Sequence, residues 1–290
     1  AFLELDDARV HYRDEGPRDA PVLVALHGTY SSLHTWDGWV EELTDEFRVV
    51  RLDMPGFGLT GPRDGRQTLY HLVRTVGLLC DELGLEDVAV AGNSLGGGVA
   101  WRLALERPDL VSRLLLLNAG GATLLSVISG NLMALTGPSV QRYMTPRLFV
   151  RLFLLDAYYD VSKVTDDLVR RYHELMLRQG NRRAVVEIAR NYETEHLEEP
   201  IHEIGTRIPR VPSAHEPTPH VWDDYDISNV DVPALFQWGS DDGWLPEQFG
   251  RDLADRVHDS RFITYEPVGH VIMEEDPERT AADAAAFLRE

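Results

Sequence analysis

Residues Val88–Glu106 read Val-Ala-Val-Ala-Gly-Asn-Ser-Leu-Gly-Gly-Gly-Val-Ala-Trp-Arg-Leu-Ala-Leu-Glu and contain the pattern G-x-S-x-G, with its serine at Ser94. An apolar run typical of a buried strand precedes the serine, and a run of helical length follows it. A serine on so sharp a turn has an unfavourable backbone geometry, and Gly92 and Gly96 remove side chains that would clash there. The stretch therefore predicts a nucleophilic Ser94 whose hydroxyl projects at the carboxyl edge of a sheet.

Short apolar runs alternate with helical periodicity on both sides of this turn. Residues 2–5 and 8–13 predict an opening hairpin. Further strands are predicted at 21–26, 48–53, 87–92, 112–118, 232–239 and 261–266. Helices are predicted at 32–47, 69–83, 95–106, 246–257 and 276–289. Strands that are apolar along their whole length and alternate with helices indicate an α/β fold, with a mostly parallel sheet covered on both faces.

The rhythm changes in the middle of the chain. Helical patterns follow one another at 124–135, 146–156, 165–179 and 182–195, and a proline-rich stretch at 208–221 comes after them. No strand fits between them. We therefore predict a first part of the α/β core at 1–120, an inserted helical cap, or lid, at 121–225, and a second part of the core at 226–290.

A serine nucleophile needs a general base, and the base needs a carboxylate to orient it. His270 follows the last predicted strand and precedes the last helix, so it lies at the same sheet edge as Ser94. Asp241 and Asp242 follow the strand at 232–239 in the same way, and either could orient the histidine. The spacing thus predicts a serine–histidine–aspartate site with two candidate acids.

Five segments together resemble the α/β-hydrolase superfamily, and specifically its capped branch of esterases and related hydrolases. They are Leu26-His27-Gly28, Asp53-Met54-Pro55-Gly56-Phe57-Gly58, Gly92-Asn93-Ser94-Leu95-Gly96-Gly97, Gly239-Ser240-Asp241-Asp242 and Val268-Gly269-His270. The order serine, aspartate, histidine along the chain is also the order of that family. The resemblance covers nearly the whole length and implies an α/β-hydrolase fold with a catalytic triad.

The resemblance implies a choice between the two acids. The family aspartate usually stands three residues after the glycine and four before a proline, which here are Gly239 and Pro246. This pattern implies Asp242 as the orienting acid, with Asp241 as the fallback.

The resemblance also implies the donors that stabilise a developing oxyanion. In the family these are backbone N–H groups, and they correspond here to those of Leu95 and Thr29. Leu95 opens the predicted helix, whose N-terminal dipole favours negative charge. His27 is expected to brace this loop, and Asp53 to belong to a structural turn.

Ser94 bears on the reaction class, because dehalogenases and epoxide hydrolases of this fold carry an aspartate at its position. A serine implies attack on a carbonyl and an acyl-enzyme. We therefore expect a carboxylesterase acting on small to medium apolar esters.

Two alternatives stay open. The sequence Gly-Asn-Ser-Leu-Gly-Gly is similar to that of carbon–carbon bond hydrolases of ring-cleavage products. Thr29-Tyr30-Ser31-Ser32 and Val271, however, depart from the glycine-rich segment and the aromatic residue usual in those enzymes. The other alternative is a non-catalytic ligand receptor on the same fold.

The inserted helices are strongly apolar. Leu124, Leu125, Ile128 and Met133 are expected to line a substrate pocket. A second group either packs within the lid or adds to the pocket wall: Leu148, Phe149, Leu152, Phe153, Leu154 and Leu155.

The amino-acid composition restricts the classes of molecule that this protein is expected to bind. The chain has 290 residues, with 28 Lys and Arg against 48 Asp and Glu, and its formal net charge is −20. This charge disfavours nucleic acids and anionic membranes. A single cysteine, Cys80, excludes a disulfide framework and a cysteine-based zinc site. No other motif predicts a metal or a cofactor.

The acidic start of the chain and its interrupted apolar runs predict no signal peptide and no membrane insertion. We therefore expect a cytoplasmic protein that acts on a small-molecule ester. Formation of a homodimer is left open by the sequence.

Overall fold

The computed structural model describes residues 1–5, 8–120, 146–196 and 225–290. Its eight strands form one sheet: β1 Phe2–Glu4, β2 Arg9–Glu15, β3 Val22–Leu26, β4 Arg48–Leu52, β5 Val88–Asn93, β6 Val111–Leu117, β7 Ala234–Gly239 and β8 Ser260–Tyr265. The spatial order is β1-β2-β4-β3-β5-β6-β7-β8. β1 and β2 are antiparallel to their neighbours, and the other strands run parallel.

Burial explains the place of β5 in the middle of the sheet. All six of its residues are buried, and it pairs with β3 on one side and β6 on the other. Val24 pairs with Val90, which in turn pairs with Leu114. A strand apolar on both faces is stable only where helices cover both sides of the sheet.

The described residues contain nine α-helices: α1 Asp37–Leu43, α2 Leu69–Glu82, α3 Leu95–Glu106, α4 Arg147–Ala157, α5 Asp166–Met176, α6 Asn181–His196, α7 Glu247–Ala254, α8 Ile272–Glu275 and α9 Pro277–Leu288. Three of them, α4 to α6, lie in the chain between β6 and β7. The start of α5 shows why the helix begins there. The Thr165 side chain accepts a hydrogen bond from the Leu168 N–H at 3.2 Å, and Asp166 and Asp167 occupy the first turn.

Neighbouring residues of β7 show that helices cover both faces. The Gln237 side chain donates to the backbone oxygen of Thr280 in α9 at 2.8 Å. Trp238, on the opposite face, packs against Gly250 in α7, where a Cβ atom would lie 2.5 Å from the indole ring. Because successive strand residues point to opposite faces, α9 and α7 lie on opposite sides of the sheet.

The predicted α/β fold is confirmed, and most of the predicted elements differ from the structure only at their ends. The segment predicted as one helix at 32–47 is a 3-10 turn, Leu33–Trp36, followed by the shorter α1. The short helix α8 was not predicted, because its four residues are too few for a periodic pattern. The predicted helix at 124–135 and the proline-rich stretch at 208–221 lie outside the described residues. Within the described part of the chain, no helix has both the length and the apolarity to cross a membrane.

The charge balance leads to a prediction about salt. Lys163 is the one lysine of the chain, so ion pairs such as that of Arg107 with Asp81 use arginine. Exposed pairs contribute only about 0–1 kcal/mol each, whereas a net charge of −20 implies widespread repulsion. Salt shortens the Debye length from about 10 Å at 0.1 M to about 3 Å at 1 M. We expect the melting temperature to rise between low salt and about 1 M NaCl, as measured by circular dichroism.

KCl serves as the control, because screening does not depend on which monovalent cation is added. A melting temperature that falls steadily with either salt would show that attraction outweighs repulsion on this surface.

Candidate active site

Ser94 occupies a strained turn between β5 and α3. Its backbone angles are φ 52° and ψ −117°, in a region that residues with side chains rarely adopt. A Cβ on Gly92 would lie 2.3 Å from the backbone oxygen of Gly96, and a Cβ on Gly96 would lie 2.3 Å from that of Leu26. These contacts explain why the turn needs glycine on each side of the serine.

His270 lies between β8 and α8 and is held on three sides. Its Nδ1 is 2.7 Å from Asp242 Oδ2, and its backbone N–H donates to the oxygen of Ala157 at 2.7 Å. The side-chain amide of Asn93 donates to the backbone oxygen of His270 at 3.1 Å. An ionised Asp242 accepts a hydrogen bond, so we assign the proton to Nδ1. That tautomer leaves the lone pair of the imidazole on Nε2.

Asp242 is buried, with every contact favouring its ionised form. Besides His270, its Oδ2 accepts from the amide of Asn118 at 2.7 Å. Its Oδ1 accepts from the N–H groups of Trp244 and Leu245 at 2.8 and 3.0 Å. Burial alone would raise the pKa of Asp242, but the interaction with His270 and these hydrogen bonds outweigh it and hold the pKa below its usual value.

Asp241 differs in each of these respects. Its side chain is exposed and accepts a hydrogen bond from its neighbour Ser240. Of the two candidate acids, only Asp242 contacts His270 in the described residues.

Ser94 and His270 line the same cavity, which has a volume of about 380 Å³. The Nε2 atom of His270 is buried and has no hydrogen-bond partner among the described residues. Ser94 is not hydrogen-bonded to this nitrogen, but it lines the same cavity, and an imidazole nitrogen with a lone pair can accept a serine's proton once the two come within hydrogen-bond reach.

Aromatic side chains form much of the cavity wall. Tyr30 lies edge-on to Phe153 with ring centroids 5.3 Å apart, and Phe153 lies 4.8 Å from Trp244. Trp244 in turn lies 4.7 Å from the ring of His270. The rings thus make a continuous apolar surface that leads to the imidazole.

The predicted backbone donors lie around the serine. Thr29 lines the cavity. Beside it, a Cβ on Gly28 would lie 2.8 Å from Asn93 Oδ1 and 3.2 Å from Ser94 Cβ, so this loop runs close to the turn. Leu95 is the first residue of α3, and its N–H therefore has no acceptor within the helix.

His27 contacts backbone rather than the cavity. Its Nε2 accepts from the N–H of Met54 at 3.0 Å, and its Nδ1 lies 2.8 Å from the oxygen of Gly28. Complete burial lowers the pKa of His27, which favours the neutral ring that these two contacts require. Asp53 is similarly occupied: it accepts from the N–H groups of Leu33 and Leu59 at 2.8 and 2.7 Å.

Glu275 ties the His270 loop to the end of α4. Its buried carboxylate accepts from the N–H groups of Gly269 at 2.8 Å, Tyr159 at 3.2 Å and Asp160 at 2.7 Å. The hydrogen bond from Gly269 is buried and the other two are part-buried, and leaving a buried donor unpaired costs about 1–3 kcal/mol.

We expect Glu275→Ala to lower the free energy of unfolding by about 2–4 kcal/mol, since it leaves these donors without their acceptor. Urea denaturation followed by tryptophan fluorescence measures the change. Glu278→Ala, at an exposed position of α9, is the control. A loss at Glu275 no larger than that of the control would contradict the proposed tie.

Some residues of the site were missed by sequence reasoning. Asn118, Asp156, Trp244 and Glu275 each contact the site from a different segment, and no periodicity marks them. Trp244 did stand within the segment between Gly239 and Pro246, which was a usable signal. Among the apolar residues predicted for either lid or pocket, four line the cavity: Phe149, Leu152, Phe153 and Leu154.

The four residues predicted to line the pocket, Leu124, Leu125, Ile128 and Met133, lie outside the described residues. In the part of the chain that is described, no three His, Cys, Asp or Glu side chains are placed to hold a metal ion together.

The fold and this geometry define an α/β protein with a mostly parallel sheet and its candidate site at the carboxyl edge of that sheet. Residues 21–277 match the family model described as alpha/beta hydrolase fold. The chain belongs to the α/β-hydrolase fold family.

Proteins with sequences similar to this chain carry the names of different activities. The chain is 26% identical, over 99% of its length and 93% of the relative's, to a 2-hydroxy-6-oxo-6-phenylhexa-2,4-dienoate hydrolase of Comamonas testosteroni. It is 33% identical to the dihydrolipoyllysine-residue acetyltransferase component of the acetoin cleaving system of Cupriavidus necator, over 58% of this chain and 44% of that protein. The chain thus matches less than half of that relative's length.

A thermophilic esterase from Thermogutta terrifontis has a similar structure. The TM-score is 0.76 at 20% identity, and the match covers 100% of this chain and 98% of the esterase. At this identity the likeness concerns the fold.

Proposed function

We propose that the protein is a serine hydrolase that cleaves small to medium apolar carboxylic esters through an acyl-enzyme. Ser94 is the nucleophile, His270 the general base and acid, and Asp242 the acid that orients His270. One observation carries the proposal. Ser94 shares its cavity with a buried, unpartnered Nε2 of His270, while Nδ1 of the same ring is bound to Asp242.

The reaction proceeds in two halves. Ser94 Oγ attacks the ester carbonyl as its proton moves to His270 Nε2, and the N–H groups of Leu95 and Thr29 stabilise the oxyanion. The alkoxide leaves with the proton from Nε2, and the acyl group stays on Ser94. A water molecule then repeats the attack with His270 as base, which releases the acid and restores the serine.

Cavity size and lining support an apolar substrate of limited size. A volume of about 380 Å³ lies at the small end of the range of roughly 300–1,000 Å³ for ligand pockets. The lining from α4 is apolar over Phe149, Leu152 and Phe153. These side chains support the proposal that residues 121–225 form a cap over Ser94.

Carbon–carbon bond hydrolysis is the second candidate. Its support is the match over nearly the full length to a relative named as a dienoate hydrolase. Ser94, His270 and Asp242 could serve either ester hydrolysis or carbon–carbon bond hydrolysis. The residues that line the cavity must therefore determine which of the two reactions occurs.

A panel of p-nitrophenyl esters of increasing acyl length, assayed beside the ring-cleavage dienoate, tests the proposal. We expect ester turnover well above that of the Ser94→Ala protein and little turnover of the dienoate. Faster turnover of the dienoate would favour the second candidate. Binding of a test compound without turnover of either would instead favour a non-catalytic receptor.

A further inference from the structure

The cavity beside Ser94 carries one acidic side chain that the proposed chemistry does not use. Asp156, in the last turn of α4, lines the cavity together with the apolar and aromatic residues. Among the described lining residues it is the one carboxylate, and none of them is an arginine or a lysine. In the same part of the chain it has no ion-pair partner.

Asp156 is joined directly to the aromatic wall. The indole Nε1–H of Trp244 donates to Asp156 Oδ2 at 2.6 Å, and the Trp244 ring lies 4.7 Å from that of His270. The next residue, Ala157, accepts the backbone N–H of His270. Asp156 is itself exposed, so its negative charge lies on the solvent-facing side of the cavity, where the hydrogen bond to Trp244 holds it beside the ring that contacts His270.

The charge acts on whatever the cavity binds. A carboxylate on a bound substrate would share the cavity with Asp156, with no described lining cation to neutralise it, and desolvating such a group costs free energy. A cationic group would meet the Asp156 charge and the faces of Phe153 and Trp244, which also attract cations.

We propose that Asp156 is a specificity-determining residue, which makes this cavity favour esters with a neutral or cationic acyl group over those with an anionic one. The inference rests on the proposed serine-hydrolase function. It also separates the two candidate reactions, because the dienoate named for the Comamonas relative is an anion.

The test compares three p-nitrophenyl esters of similar acyl length. Their acids are glutaric acid, which leaves a free carboxylate, hexanoic acid, which is neutral, and γ-trimethylammoniobutyric acid, which is cationic. Values of kcat/KM are measured at low and high salt for the unmodified protein and for Asp156→Asn. The asparagine keeps an oxygen that can accept from Trp244 but removes the charge.

We expect Asp156→Asn to lower kcat/KM for the cationic ester and to raise it for the anionic ester, each by about threefold to tenfold at low salt. The neutral ester should change by less than about twofold, and high salt should shrink both effects. Asp156→Glu should retain the original order. Asp255→Asn, which makes the same change in net charge at an exposed position away from the cavity, should alter none of the three.

Unchanged kcat/KM values for the two charged esters in Asp156→Asn would overturn the proposal, as would shifts of the same size in Asp255→Asn. A protein that turns over no ester would refute the proposed function instead. In that case, calorimetry with the Ser94→Ala protein measures whether the cavity binds a cation more tightly than an anion. Phenyltrimethylammonium should bind more tightly than phenylacetate, and Asp156→Asn should remove the difference. The proposal would be overturned if the two ligands bound equally tightly, if phenylacetate bound more tightly, or if phenyltrimethylammonium did not bind.

Discussion

Replacing Ser94 by alanine is expected to lower kcat for ester hydrolysis by roughly 10⁴–10⁶-fold, the largest loss of any single substitution in this site. The change removes the oxygen that attacks the carbonyl, and no other hydroxyl lies on the same turn beside His270. The donors at Leu95 and Thr29 would remain, so a small residual rate above that in water is expected. Steady-state rates with a p-nitrophenyl ester of short acyl length measure the loss.

The fold should tolerate this change. The Ser94 hydroxyl makes no capping hydrogen bond to α3, and alanine meets the same positive φ as serine does. We expect the free energy of unfolding to change by less than about 1 kcal/mol. A fluorophosphonate probe should add its mass to Ser94 in the unmodified protein and leave Ser94→Ala unlabelled.

Ser228→Ala is the matched control, since this exposed serine lies away from the cavity. It should keep full activity and labelling. Substantial turnover in a folded Ser94→Ala protein would mean that another group is the nucleophile.

Much of this arrangement follows from local rules. The turn at Ser94 could be predicted because its strain and its glycine neighbours are properties of a few consecutive residues. His270 and the aspartate pair could be placed at the same edge because parallel strands bring their carboxyl ends together. His27 was expected to brace its loop, and Asp53 to belong to a structural turn, from the family resemblance; both side chains accept hydrogen bonds from backbone N–H groups.

Other features depend on contacts between segments far apart in the chain. The buried position of Asp242 rests on Asn118, which is 124 residues away in sequence. Glu275 meets Tyr159 and Asp160 across more than a hundred residues, as the separations of 116 and 115 show. Trp244 and Asp156 are joined in the same way. No periodicity in either segment carries that information, because each pairing depends on how α4 packs against the sheet edge.

The two adjacent aspartates provide a test in which each is the control for the other. Asp242→Asn is expected to lower kcat by about 10⁴-fold, whereas Asp241→Asn should change it by less than about twofold, within the small effects usual at exposed positions. The two variants make the same chemical change one residue apart. Steady-state kinetics on one neutral ester, with urea denaturation of both proteins, separates a catalytic loss from unfolding.

The size of the loss in Asp242→Asn follows from the hydrogen bonds around the side chain. Its Oδ1 accepts from the backbone N–H groups of Trp244 and Leu245, which can only donate. The partners of Oδ2 are the side-chain amide of Asn118 and the ring of His270, which can turn over or change tautomer, so the oxygen of the new amide is expected at the Oδ1 place. The amide nitrogen then replaces Oδ2 and faces His270 Nδ1 as a donor. His270 can satisfy that donor only by moving its own proton to Nε2, and a protonated Nε2 cannot accept the proton of Ser94. If Asp241→Asn instead caused the larger loss, the imidazole would have to be oriented by the exposed acid, against the contacts observed here.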